Sequence, residues 1–206
     1  MSTRSKLALI GLGAALIMAA AVGSASAGRY SISHGELFQL RWSSLRFQSA
    51  GITEFECPVT LESSLHSRTI TKTVGTLLGY ITRASLGRCI TGSGTILSET
   101  LPWHVQYGGF NESLPRPRPI INIVGLALRM NNALTGACLL RTTAAQPLVV
   151  ITEPTYEAGG NGIAERLTMD STKRIECAPL GPANFAGSAS IVESPGGARN
   201  VLVRLI

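Results

Sequence analysis

Residues able to do chemistry are few in this chain, and they are scattered. The three histidines, His34, His66 and His104, stand 32 and 38 residues apart, and the one aspartate is Asp170. A Ser-His-Asp site would need Asp170 or a glutamate to orient the imidazole, and no G-x-S-x-G elbow presents a serine. The nearest look-alike, Gly92-Ser93-Gly94, is turn chemistry. A zinc held by the three histidines would require them to converge from separate strands, and the Asp-rich loops that calcium prefers are missing. Glu54, Glu56 and Glu62 alternate along one segment and form a wet, solubilising face. A sugar-cleaving carboxylate pair would bring stacking aromatics to that face, and none are there. The leading expectation is a non-catalytic binding or structural domain with no cofactor and no metal. The alternative is a secreted hydrolase whose site is built from His66 or His104 with Ser and Glu residues.

The elements that must position any site are strands. In T-E-F-E-C-P-V-T-L-E, Thr53–Glu62, the apolar residues Phe55, Cys57, Val59 and Leu61 alternate with polar ones. Successive side chains leave a strand on opposite sides, so this run predicts one buried and one wet face. Pro58 cannot donate to a ladder, which predicts an edge strand or a bulge there. Leu101, Trp103, Val105 and Tyr107 make a second run of the same period. Ile120–Met130 is almost continuously apolar and reads as the most buried strand. Leu65–Ala84 is ambiguous: its apolar spacing suits a short helix, while its threonines, Gly75 and Gly79 favour strand. Shorter strands with turn signals between them fill the remainder. The pattern predicts an all-β chain, an antiparallel β-sandwich or distorted barrel of about ten short strands.

The first 27 residues read as a secretory signal peptide. Arg4 and Lys6 precede the uncharged run Leu7–Gly23, and Ala25-Ser26-Ala27 supplies the small-x-small cleavage pattern, with cleavage expected after Ala27 and an uncleaved anchor as the alternative. Residues 28–206 then form a single secreted β domain, long enough for its own core and without a membrane span. Cleavage removes two of the 18 basic residues and none of the 12 acidic ones, leaving a net charge of +4. That charge is spread out, without a basic block interleaved with aromatics, so nothing specific points to nucleic acid. The expected partner is a cell-envelope or extracellular polymer or protein. The excess of Arg over Lys, with abundant Ala and Gly, suggests a bacterial genome of high GC content. An outer-membrane barrel would carry aromatic girdles, and aromatics are only 5% of the residues.

All four cysteines lie in the exported part, as an oxidising compartment allows. None form a C-x-x-C pair. Of three pairings, Cys57–Cys89 and Cys138–Cys177 give similar loops, one per half of the chain. As a ligand surface, for a peptide or glycan, the candidates are Trp103 and Tyr107 with Arg116 and Arg118 of the proline-rich Pro115–Pro119 stretch. The competing expectation is that both aromatics belong to the core, since their spacing is that of a buried face.

The block C-P-V-T-L-E-S-S-L-H-S-R-T-I-T-K-T-V-G-T-L-L-G-Y-I-T-R-A, Cys57–Ala84, resembles a segment recurring in small secreted proteins of high-GC Gram-positive bacteria. The similarity extends to T-L-P-W-H-V-Q-Y at Thr100–Tyr107. This resemblance implies export and carries no activity and no functional residue with it.

Overall fold

A computed structural model describes residues 30–32, 37–49, 52–67, 69–110, 118–132, 136–156, 161–193 and 201–205. The expected signal peptide, residues 1–27, lies outside them, as do His34 and Arg116. Within them every regular element is a strand, apart from one 3-10 turn at Ser98–Thr100. In chain order the strands are β1 (Tyr30–Ile32), β2 (Leu37–Ser49), β3 (Ile52–Leu65), β4 (Thr69–Ile70), β5 (Leu77–Leu86) and β6 (Ser93–Ile96). There follow β7 (Trp103–Phe110), β8 (Pro119–Val124), β9 (Ala127–Asn132), β10 (Gly136–Arg141) and β11 (Leu148–Tyr156). The last are β12 (Asn161–Met169), β13 (Ile175–Ala178), β14 (Gly181–Ala186), β15 (Ser188–Glu193) and β16 (Val201–Leu205).

Eight of these close into an antiparallel barrel in the order β2–β3–β5–β7–β8–β11–β12–β15. Closure rests on β15, which pairs with β12 through Arg166↔Ser190 and with β2 through Ser190↔Arg41. The architecture therefore lies within the range that the alternation allowed. Inward positions are apolar: Phe38 and Trp42 on β2, Val59 and Leu61 on β3, Trp103, Val105 and Tyr107 on β7, Val150 on β11, Ile191 on β15. Outward positions include Arg41, Glu62, Arg83 and His104. A bilayer-spanning barrel needs the reverse polarity, an apolar band outside. No helix of the described residues is long and apolar enough to cross a membrane either.

At one end the sheet continues into a smaller lobe. The last residues of β2 pair with β14, and the order runs on through β13, β10 and β9 to β6. This sheet curls back to β3, where the Ile90 amide donates to the Glu56 carbonyl. Phe47, Phe55 and Phe185 meet edge-on or tilted in its core, with ring centroids 5.3 and 5.9 Å apart. Such tilted packing suits the aromatic quadrupole. The expected disulfides are both formed, with Cα separations of 4.2 Å for Cys57–Cys89 and 5.4 Å for Cys138–Cys177. They do not divide between two halves: both pin this lobe, because β3 runs through it before entering the barrel.

Several expectations need correction. Thr53–Glu62 does alternate, with Phe55 and Val59 buried; of the two expectations for Pro58, the edge strand fails, since β3 is flanked by β2 and β5, and the bulge is the one observed. Pro58 is accommodated because its neighbours' ladders are interrupted there. The β2 register shifts between Trp42 and Leu45, and the β5 ladder ends at Val59↔Leu86. Ile120–Met130 is two strands, since Gly125 turns the chain at φ +88°, a conformation that L side chains rarely adopt. Segment 65–84 holds β4, a turn and most of β5, with no helix. Gly79 is obligatory at that strand's start, because a Cβ there would run into the Ser64 carbonyl oxygen. Breaks of this kind give sixteen described strands where about ten were expected.

Candidate functional site

The barrel's open end, where β2 begins and β3 finishes, holds a cavity of about 110 Å³. Its wall comes from all eight barrel strands: Phe38, Leu78, Ile81, Val105, Ile123, Val150, Ala164, Leu167 and Ile191 are representative, and Ile70 of β4 lies over it. The reason is geometric. Eight strands enclose an interior just wide enough for side chains to fill or for one small ligand. Here small residues, Ser63 on β3 and Ala164 on β12, stand where larger ones would complete the packing. The opposite end of the barrel is filled by Trp42 and Trp103, leaving only about 20 Å³ between them and Leu126, Leu148 and Met169.

Three hydroxyl-bearing side chains reach the cavity wall. Thr152 Oγ1 is already engaged, donating to the Pro119 carbonyl at 2.9 Å. Ser63 and Tyr107 are 6% and 2% exposed, and neither hydroxyl is hydrogen-bonded among the described residues. Burial pushes the Tyr107 phenol from 10.0 up to about 12, because the phenolate would lose its hydration. The phenol is therefore neutral at every ordinary pH and can both donate and accept. The folded form holds this proton more tightly than the unfolded chain does. Its contribution to stability is complete below pH 10 and is lost as pH rises from 10 to 12. Urea unfolding at pH 9 and pH 12 will show a larger loss in wild type than in Tyr107→Phe. Equal losses would refute the assignment.

The sequence-derived candidates separate. Trp103 and Tyr107 are 1% and 2% exposed and face inward, so they form no outer surface, and the expectation of core aromatics is the one observed. Trp103 Nε1 donates to Thr100 Oγ1 at 2.8 Å, and Tyr107 lines the cavity. Arg118 is on the outside, 3.8 Å from Glu153. His66 and His104 are exposed, on either side of the Tyr80 ring at 4.9 and 5.4 Å. Among the described residues neither imidazole is hydrogen-bonded to a serine or carboxylate, and no cluster of His, Cys, Asp and Glu has metal-binding geometry. Glu54, Glu56 and Glu62 are spent on the outer face: Glu54 pairs with Arg46 at 3.4 Å and Glu62 with Arg83 at 3.6 Å, while Glu56 accepts from Ser44. Sequence reasoning missed the cavity wall. Its one signal was small or polar residues, Ser63 and Ala164, at inward positions.

Fold and cavity together define the class, a disulfide-bridged closed antiparallel barrel with an apolar interior and a polar exterior. No family model, curated protein or solved structure matches the chain.

Proposed function

We propose that this chain is an exported, non-catalytic binding domain whose barrel takes one small apolar molecule. The observation that supports it is the cavity of about 110 Å³, apolar except for the Ser63 and Tyr107 hydroxyls and that of Thr152, which is engaged by the Pro119 carbonyl. A cavity of about 150 Å³ lined by similar side chains stays dry and binds benzene or xenon. The occupant is thus benzene-sized or smaller, cyclic or branched, with at most one hydrogen-bonding group. The signal-like pattern of residues 1–27 supports export, and a bacterial cell envelope or its surroundings is the setting that the two disulfides suit.

Benzene will raise the midpoint of thermal unfolding of the mature domain, since a ligand held at 100 times its Kd adds about 2.7 kcal/mol. Ala164→Leu, which grows into the cavity, will abolish that rise, while Thr152→Val will keep it. No shift in wild type, or an equal shift in Ala164→Leu, would refute the reading.

A further inference from the structure

A second feature lies on the barrel's outer wall and is independent of the cavity. The strand registers place Glu153, Arg166, Ser190, Arg41 and Thr60 in one row across five adjacent strands, β11, β12, β15, β2 and β3, and Arg118, the residue just before β8, extends it by its ion pair with Glu153. The registers Glu153↔Arg166, Arg166↔Ser190, Ser190↔Arg41 and Arg41↔Thr60 fix its middle, and the Arg118–Glu153 ion pair fixes its end. All six are exposed or half-buried, so the row faces water.

The row crosses a broad groove of about 1120 Å³, to which Ser43 and Ser188 add their hydroxyls. The groove exists because β2 bulges at Ser43 and Ser44, where its pairing passes from β15 to β14. Gly187 makes the crossing, and a Cβ on it would lie 2.9 Å from the Ser44 carbonyl oxygen.

Charge is unbalanced along this row. Glu153 is held by Arg118 at 3.8 Å. Among the described residues, no carboxylate lies within ion-pair distance of Arg41 or Arg166. Arg41 instead donates through Nε to the Gln39 side chain at 2.6 Å, which leaves its terminal nitrogens directed elsewhere. The two arginines stand two strands apart, about 10 Å between backbones. Each presents a planar fork suited to a carboxylate or phosphate.

We infer that this groove binds an anionic carbohydrate polymer, with Arg41 and Arg166 each gripping one acidic group and Ser43, Thr60, Ser188 and Ser190 meeting the sugar or polyol hydroxyls between. Nucleic acid fits less well. Single strands are held largely by bases stacked on aromatic rings, and the one aromatic at the groove, Trp42, is 2% exposed. The acidic groups can be uronic carboxylates or the phosphodiesters of a polyol phosphate.

Binding of residues 28–206 to polygalacturonate, polyglycerol phosphate, neutral dextran and single-stranded DNA, measured at 50 and 200 mM salt, tests this. One or both of the first two will bind, and the stronger identifies the anion. Dextran will not, and DNA will bind at least tenfold more weakly. Arg41→Glu and Arg166→Glu will each weaken binding at least tenfold, whereas Arg141→Glu, the same charge change at an exposed site on β10, will change it less than twofold. Absence of binding to either polyanion, preference for DNA, or an equal loss in Arg141→Glu would overturn the assignment.

Discussion

Replacing Cys57, Cys89, Cys138 and Cys177 with alanine will lower stability by roughly 7 kcal/mol. The bridges close loops with sequence separations of 32 and 39, and on the chain-entropy account each such closure contributes about 3–4 kcal/mol. A domain of ordinary stability has about 5–15 kcal/mol in all, so the loss takes most of it. Placement makes the expectation more specific. Both bridges lie in the smaller lobe, while the barrel is held by its closed ladder and its apolar interior. Amide exchange in the reduced protein will therefore rise first in β9, β10, β13 and β14, and later in β5, β7 and β11. Uniform loss of protection, or earlier loss in the barrel, would show that the lobe is not the part the bridges hold.

Trp103→Ala will cost about 3–5 kcal/mol, the range for removing a large aromatic from a core. The side chain is 1% exposed and packs at the closed end of the barrel, against residues that also face the lobe, among them Trp42, Leu45, Leu126 and Phe185. Its indole N–H is satisfied by Thr100 Oγ1, which in turn donates to the Leu97 carbonyl at 2.7 Å. Truncation leaves both a void and a disrupted hydrogen-bond chain. For a domain of this size the midpoint of thermal unfolding will fall by roughly 6–20 °C. Trp103→Phe, which keeps a ring in place, will cost less than half as much. If the alanine variant melted within 2 °C of wild type, the junction would not be the packed centre described here.

How far the sequence foretold this can be read from individual residues. Alternation at Phe55, Cys57, Val59 and Leu61 announced β3 because one face of that strand is core and the other water. Nearest-neighbour pairing of the cysteines was right, since Cys138 and Cys177 lie on adjacent strands and the loop carrying Cys89 runs beside β3. Barrel closure was not legible. Nothing in Ser188–Glu193 says that it pairs with both β12 and β2, because the contact between Ser190 and Arg41 spans 149 residues of chain. The arginine row was invisible for the same reason, as its members come from five strands and the residue before a sixth. Arg118 alone was singled out, and for its prolines. Trp103 and Tyr107 were legible as core residues, since with Leu101 and Val105 they share the spacing of a buried face, and both are buried.

The claim on which the functional account depends is that the barrel interior accepts an apolar guest at its open end. Methyl-resolved NMR of residues 28–206 under xenon tests this most directly. The account predicts concentration-dependent shifts at Leu78, Ile81, Val105, Ile123, Val150 and Leu167, with Leu140 and Ile175 of the smaller lobe unmoved. Shifts confined to the lobe or to surface methyls, or none at several atmospheres of xenon, would contradict it.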